Sequence, residues 1–345
     1  MRETLTKLWL VLLGLGVLTA AHGQTTETKG ANKMKVVQQA EISGEYVSAG
    51  GKRIWVEREG KGAPIVLLAG GPANNHLIFQ PYFSRLADQF EIVYYDYYRR
   101  GKSEPAKDYE AITFESDIED LENLRKALGY AKWSVYGFSY GGMVAQGYAL
   151  KYPKSVDKLV LANTLHSAEM WQKNHENINR EIVNQFPEIW EQIQALKARG
   201  YRSSPKEMVA LFDSIRGNEL VRFYNAQNDA KRAKELGLRN KDAAYKFNKE
   251  LYFTFVGDDI DFFLGGEVAN LPDFRPQFKE LKMPLLIVAG RFDRALYPKY
   301  SLQFKQFAPQ AKFVLLEHSG GFAHVEEPET LFPLLKEFLE EKLNK

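Results

Sequence analysis

Ser139 lies in a pattern that supports nucleophilic chemistry. Its segment is Gly137-Phe138-Ser139-Tyr140-Gly141, of the form G-x-S-x-G. In this pattern a strand ends in a sharp turn that exposes the serine, and a helix begins directly after it. The flanking glycines let strand and helix approach because they carry no side chain. The helix N-terminus favours developing negative charge. The sequence therefore predicts Ser139 as the nucleophile of an acyl-transfer site.

A second segment can supply the oxyanion hole that acyl transfer requires. Such a hole combines the amide after the nucleophile with an amide from the loop after an early strand. An apolar run begins at Pro64 and continues into Gly70-Gly71-Pro72. We predict that the amides of Gly71 and Tyr140 form the hole.

The acid of a catalytic triad is expected after a late strand. The apolar run 284–289 is followed by Gly290-Arg291-Phe292-Asp293. A carboxylate here would hold an imidazole in one tautomer and stabilise the imidazolium. The sequence therefore predicts Asp293 as the acid.

Apolar runs that alternate with helix-period segments must position these residues. Runs bounded by Gly and Pro predict strands, and this alternation predicts a mostly parallel sheet covered by helices. The eight predicted strands are 42–47, 53–59, 64–69, 91–95, 133–136, 158–162, 284–289 and 312–316, the first two antiparallel. The predicted helices are 114–128, 140–151 and 328–343.

The segment 165–281 differs from this alternation, because it is rich in charged residues, Asn and Gln and contains no clean strand pattern. We predict an inserted helical cap there, between two parts of one core, residues 41–164 and 282–345.

The N-terminus has the features of a secretion signal. Positive charge at Arg2 and Lys7 precedes an apolar run of about 11 residues, shorter than the ~20 that span a bilayer, and then small residues. We predict a signal peptide over 1–23 that is cleaved near Gly23, and a polar leader over 24–40. The protein is therefore expected to be secreted or periplasmic, with no stable membrane span after cleavage; an uncleaved anchor helix is the alternative.

Composition excludes several function classes. The 345 residues are 45% hydrophobic, carry a net charge of +2 and include no cysteine. Nearly balanced charge gives no basic face for nucleic acid, so no nucleic-acid partner is expected. Absent cysteine and scattered histidines argue against a metal site, so neither a metal nor a cofactor is expected. The expected partner is a small peptide or ester substrate.

From about Ile42 to Leu343 the chain resembles the prolyl iminopeptidase family of α/β-hydrolases. Gly70-Gly71-Pro72 resembles the middle of that family's His-Gly-Gly-Pro-Gly segment, and the stretch 96–103 resembles Asp-Gln-Arg-Gly-x-Gly-Arg-Ser. Departures are Ala69 for His, Ala73 for Gly, and Tyr98-Arg99 for Arg-Gly. The resemblance implies an α/β-hydrolase fold with a helical cap, and an aminopeptidase that acts on N-terminal proline.

The sequence has no histidine at the position where the family pattern places the general base. Aligned on the family's Gly-His-x-x-x-x-Glu-x-Pro, the segment that ends at Pro328 has Gly321 at the histidine position. Three interpretations are open. His324 serves as the base from a shifted loop, His318 serves from the strand end, or the chain lacks a base and is an inactivated relative. Losing a triad base costs several powers of ten in kcat.

Three functional hypotheses follow. The first is a serine hydrolase that forms an acyl-enzyme, most plausibly a prolyl-iminopeptidase-like aminopeptidase. The second is a carboxylic ester hydrolase, and the third is a non-catalytic protein on a hydrolase fold. The family anchors the substrate amine with cap acids. The candidates here are Glu169, Asp258, Asp259 and Asp261.

Overall fold

Eight strands form one sheet in the order β1-β2-β4-β3-β5-β6-β7-β8. The computed structural model describes residues 42–105, 112–215, 242–257 and 266–341. The strands are β1 Gly44–Ala49, β2 Lys52–Glu59, β3 Ala63–Leu68, β4 Phe90–Tyr95, β5 Trp133–Phe138, β6 Val156–Ala162, β7 Leu285–Gly290 and β8 Lys312–Leu316. Each predicted strand is present, and most bounds shift by one or two residues.

The sheet is antiparallel at one edge and parallel through the rest. β2 pairs antiparallel with both β1 and β4, whereas every pairing from β4 through β3 and β5 to β8 is parallel. All residues of β5 and β7 are buried, because helices cover both faces of a parallel sheet. The mostly parallel eight-stranded sheet is therefore confirmed.

Nine α-helices accompany the sheet in the part of the chain that the structure describes. They are α1 Phe114–Ala127, α2 Tyr140–Lys151, α3 Ala168–Gln185, α4 Pro187–Ala198, α5 Lys206–Ser214, α6 Lys249–Val256, α7 Pro298–Phe307, α8 Ala323–Glu326 and α9 Pro328–Glu340. A capping box of Thr113 and Ser116 begins α1, and α2 is buried on almost every side. The helix that carries the predicted nucleophile at its start is thus held in the core.

The chain between β6 and β7 is helical where it is described. Helices α3 to α6 fall in this stretch, and no strand occurs between β6 and β7 among the described residues. A small apolar cluster with Ile178, Ile182, Ile193 and Met208 holds α3, α4 and α5 together, whereas α6 packs into the main core through Phe255. The helical cap of the predicted fold is present, and residues 216–241 and 258–265 of it lie outside the described residues.

The predicted signal peptide 1–23 and leader 24–40 also lie outside the described residues. Within the described ranges, no helix combines the length and the apolar character needed to cross a bilayer. Both N-terminal assignments stay predictions.

Candidate active site

Ser139 occupies the turn between β5 and α2 in a strained conformation. Its φ of 53° and ψ of −122° lie in a region that residues other than glycine rarely adopt. Local hydrogen bonds hold this conformation: the Ser139 amide donates to the Ala162 carbonyl at 3.1 Å, and its carbonyl accepts from the Gly142 amide at 2.9 Å. The Thr164 hydroxyl also donates to this carbonyl, at 2.5 Å. The surrounding structure therefore presents Ser139 at the start of α2.

The two glycines of the motif are sterically required. A β-carbon on Gly137 would lie 2.6 Å from the Gly141 carbonyl oxygen, and one on Gly141 would lie 2.1 Å from the Leu68 carbonyl oxygen. Both distances are far below a normal contact. The G-x-S-x-G spacing thus follows from how closely β3, β5 and α2 pack.

The predicted oxyanion loop passes directly beside the serine. A β-carbon on Gly70 would lie 2.7 Å from the Ser139 Cβ. Gly71 has a φ of +53°, which favours glycine, and its carbonyl accepts from the Asn74 amide at 3.1 Å. The structure therefore brings together the two segments that contain Gly71 and Tyr140. Their pairing as hydrogen-bond donors to an oxyanion stays a prediction.

A buried ion pair lies behind this loop, and the sequence patterns did not indicate it. Arg100 makes two parallel hydrogen bonds to Asp117, at 2.8 and 2.9 Å, and neither side chain is exposed. Arg100 Nε also donates to the Pro72 carbonyl at 2.8 Å, and the Tyr140 hydroxyl donates to Asp117 Oδ2 at 2.6 Å. Burial and the Asp117 charge hold the pKa of the Tyr140 phenol well above 10, so it remains a donor at neutral pH.

Asp293 is a buried carboxylate in the turn that follows β7. Its Oδ1 accepts hydrogen bonds from the amides of Ala295 at 3.0 Å and Leu296 at 2.8 Å. The Asn163 side-chain amide lies 3.4 Å from Oδ2. Three donors thus orient the predicted acid, which is 3% exposed.

The loop that contains Gly321 packs against the Asp293 turn. The Phe292 backbone amide donates to the Ser319 carbonyl at 2.9 Å, and the Asn163 side-chain amide donates to the Gly320 carbonyl at 3.1 Å. Gly321 is buried, and it is not among the glycines with positive φ. Its backbone therefore places no requirement for glycine at this position. The assignment of Gly321 to the histidine position stays a prediction.

His324 lies on α8 in an aromatic environment. Its ring is fully buried, and Phe79, Phe83 and Phe138 have ring centroids within 5.2 to 6.0 Å of it. The Nε2 atom lies 2.9 Å from the Ile78 carbonyl oxygen. A carbonyl only accepts, so Nε2 carries a hydrogen and donates it. This nitrogen therefore has no free lone pair with which to take a proton from Ser139.

The Ser139 hydroxyl has no hydrogen bond to a histidine among the residues that the structure describes. His318 is exposed to solvent, and its backbone amide donates to Glu327 Oε2 at 2.7 Å. His76 is buried between Asp96, 2.8 Å from its Nδ1, and Glu57, 3.3 Å from its Nε2.

Two residues of the site, Asn163 and Thr164, were missed in the sequence. They directly follow β6, and Asn163 has a φ of 43°. The Thr164 hydroxyl bonds to the Ser139 carbonyl, while the Asn163 side chain bonds to both Asp293 and the Gly320 carbonyl. Their position at the carboxyl end of a central parallel strand, where sites of α/β proteins form, is the signal that could have indicated them.

Two cap helices pack against Tyr140, the residue that follows Ser139. The Tyr140 ring lies 6.1 Å from Trp171 on α3 and 5.4 Å from Phe255 on α6, between ring centroids. Glu169, a candidate for binding a substrate amine, is exposed and pairs with Arg275 at 2.8 Å. The other three candidates, Asp258, Asp259 and Asp261, lie outside the described residues.

No group of three or more His, Asp or Glu side chains suited to a metal ion occurs within the described ranges. The polar groups around Ser139 instead bind each other and the backbone.

The fold and the strand-serine-helix turn define a known class. A family model of the alpha/beta hydrolase fold matches residues 63–328. The chain belongs to the α/β-hydrolase fold family.

Within this class the chain is similar to proline iminopeptidases. It is 25% identical over 283 residues to a proline iminopeptidase of Heyndrickxia coagulans, covering 82% of this chain and 92% of the relative. It is 29% identical over 293 residues to one of Lactobacillus helveticus, covering 84% and 93%. The crystal structure of the Mycobacterium smegmatis proline iminopeptidase superposes with a TM-score of 0.68 at 19% identity, over 86% of this chain and 97% of that one. The fold and these relatives support an enzyme of the hydrolase type.

Proposed function

We propose that this protein is a serine hydrolase of the proline iminopeptidase type, which removes an N-terminal residue from a small peptide through an acyl-enzyme on Ser139. The strained backbone of Ser139 carries the proposal. Strain of this kind costs about 1–3 kcal/mol and persists where function or packing over-determines it. Here it places Ser139 at the start of a helix, with its Cβ beside Gly70.

The roles of the other groups follow from their positions. The amides of Gly71 and Tyr140 would stabilise the oxyanion, and Asp293 would be a triad acid that has no imidazole partner at position 321. The similarity to proline iminopeptidases supports an amide substrate with a free N-terminus. No metal or cofactor enters this proposal.

Proton transfer from Ser139 is the slow step of the proposed chemistry. With Gly321 at the histidine position and no hydrogen bond between Ser139 and a histidine among the described residues, Ser139 would lose its proton to solvent or to the substrate. We therefore propose a slow enzyme, because the oxyanion hole and binding alone retain roughly 10³–10⁴-fold catalysis over water.

The test is covalent labelling of Ser139 combined with a choice of substrates. The protein is treated with a fluorophosphonate, and the labelled peptide is identified by mass spectrometry in wild type and in Ser139→Ala. Hydrolysis of a proline arylamide and of a short-chain aryl ester is then compared. Labelling confined to Ser139 and arylamide turnover would support the proposal. Ester turnover alone would favour the carboxylic ester hydrolase.

A non-catalytic protein on a hydrolase fold is the second candidate. The observation that favours it is the environment of His324, whose aromatic neighbours and hydrogen bond to Ile78 are those of a structural residue. No labelling of Ser139 and no turnover of either substrate would establish this alternative over the first.

We also propose that the chain is secreted or periplasmic through cleavage near Gly23. N-terminal sequencing of the protein exported from its native host tests this, and an unprocessed Met1 would contradict it.

A further inference from the structure

We propose that Arg100 and Asp117 are positioning residues that hold the two sides of the predicted oxyanion hole against each other. The inference rests on the function proposed above, because it assigns these residues to the same site. Neither would touch the substrate. They would act through Pro72 on one side and Tyr140 on the other.

Arg100 holds the first of the two segments, the loop after β3. Arg100 Nε donates to the Pro72 carbonyl at 2.8 Å, and Pro72 directly follows Gly71. One further guanidinium hydrogen bond runs to the Tyr98 carbonyl at 3.0 Å. The planar guanidinium thus fixes the loop at the residue beside the predicted donor, with a geometry that a lysine cannot reproduce.

The second side is the start of α2. Asp117 Oδ2 accepts from the Tyr140 hydroxyl at 2.6 Å as well as from Arg100 at 2.9 Å. Tyr140 is the residue whose backbone amide is the other predicted donor. A continuous path of hydrogen bonds therefore joins Pro72, Arg100, Asp117 and Tyr140.

Stability alone does not account for this path. A fully buried ion pair pays a large desolvation penalty, and apolar residues of similar volume are often at least as stabilising. The pair has instead a geometric consequence. It joins two segments that are far apart in the sequence and whose amides must lie about 3 Å from one oxygen atom.

The charge of the pair also fits a positioning role. Arg100 and Asp117 are bonded side by side, so their fields largely cancel at a distance. They would contribute little direct stabilisation to an oxyanion. Their effect would come from the distance between the amides, and misplacement of about 1 Å at a reacting group can cost about 100-fold in rate.

The experiment compares two buried tyrosines. Tyr140→Phe removes the hydroxyl that bonds to Asp117 and keeps the backbone amide. Tyr136→Phe is the matched control, because Tyr136 is fully buried on β5 and its hydroxyl has no hydrogen-bond partner among the described residues. The rate constant and the apparent binding constant for fluorophosphonate labelling of Ser139 are measured for each, together with kcat and KM where turnover is detected.

We expect Tyr140→Phe to lower the labelling rate constant about tenfold while binding changes less than about twofold, because a shifted donor affects the transition state more than the bound reagent. Tyr136→Phe should match wild type. Arg100→Lys should lower the rate further, and the double variant Arg100→Lys/Tyr140→Phe should be no worse than Arg100→Lys, because both act through one path.

A second measurement does not depend on activity. Hydrogen exchange of the peptide that covers 70–76 should quicken in Tyr140→Phe and Arg100→Lys and stay unchanged in Tyr136→Phe. If wild type is not labelled at Ser139, the proposed function fails, and faster exchange still supports the coupling of the two segments. If wild type is labelled but Tyr140→Phe behaves like Tyr136→Phe in rate and exchange, the positioning role is overturned and the proposed function stands.

Discussion

The two halves of the site differ in how completely they are built. On the side of the predicted nucleophile, backbone hydrogen bonds and the buried Arg100–Asp117 pair hold Ser139 and the predicted oxyanion loop in place. On the side of the predicted acid, Asp293 is equally well held, and the adjoining loop contains Gly321, which the sequence pattern predicts to stand at the histidine position.

The acid side is therefore as well ordered as the side of the predicted nucleophile, although the predicted base position carries no side chain. The Asn163 side chain joins the Asp293 turn to the Gly320 loop. Two changes test this difference: an imidazole added at position 321, and the buried ion pair removed beside the predicted nucleophile.

Adding imidazole at position 321 should have the largest effect. We expect Gly321→His to raise kcat/KM for a short-chain aryl ester by on the order of 10³-fold, because a triad base accounts for several powers of ten. The φ at Gly321 is compatible with a side chain. Initial rates are measured on the purified variant.

Gly321→Ala is the matched control, since it adds a β-carbon without an imidazole, and it should leave the rate near wild type. A folded Gly321→His with no gain in rate would show that position 321 is not the base position.

Breaking the ion pair should have the next largest effect. Arg100→Met leaves Asp117 buried without its counterion, so we expect a loss of about 3–5 kcal/mol in the free energy of unfolding, measured in urea. The exposed pair of Arg85 and Glu329 is the control. Arg85→Met should cost less than about 1 kcal/mol. Equal losses in the two variants would contradict the difference between buried and exposed pairs.

His76, just after the oxyanion loop, should make stability depend on pH. Burial lowers its pKa, but the charge and hydrogen bond of Asp96 at 2.8 Å and the charge of Glu57 at 3.3 Å outweigh burial and raise the pKa from 6.5 to about 9. A raised folded-state pKa gives stability that is complete below the unfolded value and lost as the pH rises through the folded value.

We therefore expect about 3 kcal/mol of unfolding free energy to disappear between pH 6.5 and about 9. Urea unfolding at pH 6 and pH 9.5 measures the change, and His76→Gln provides the comparison. If His76→Gln loses as much stability over this range as wild type does, another group is responsible.

The smallest effect is expected at His324. His324→Phe keeps an aromatic ring among Phe79, Phe83 and Phe138 but leaves the Ile78 carbonyl without its donor, at a cost of about 1–2 kcal/mol. The rate of Ser139 labelling should stay within about twofold of wild type. A loss of 100-fold in that rate, with folding intact, would identify His324 as the base.

Short-range patterns predicted the sheet and the elbow well. Strands in the parallel part of the sheet, such as β5 and β7, are buried and mostly apolar, and α2 follows directly from the G-x-S-x-G turn. The Asp293 turn was indicated by its position after an apolar run. These features depend on residues that are neighbours in the chain, and backbone sterics constrain them locally.

Contacts between distant segments could not be predicted in this way. Arg100 stands at the variable position of the 96–103 segment, so neither composition nor the family resemblance marked it. Its partner Asp117 is one of several acids in α1, and only the structure selects it.

The sequence by itself determined the α/β architecture, the strained serine turn and the absence of histidine at position 321. Each of these depends only on residue types and on the spacing of residues that are close in the chain. Tertiary structure alone decided which carboxylate Arg100 meets, that Asn163 joins the acid turn to the Gly320 loop, and that His324 donates to Ile78. Such pairings depend on how strands and helices far apart in the chain pack, since burial leaves each polar group only the partners that packing brings within hydrogen-bond distance.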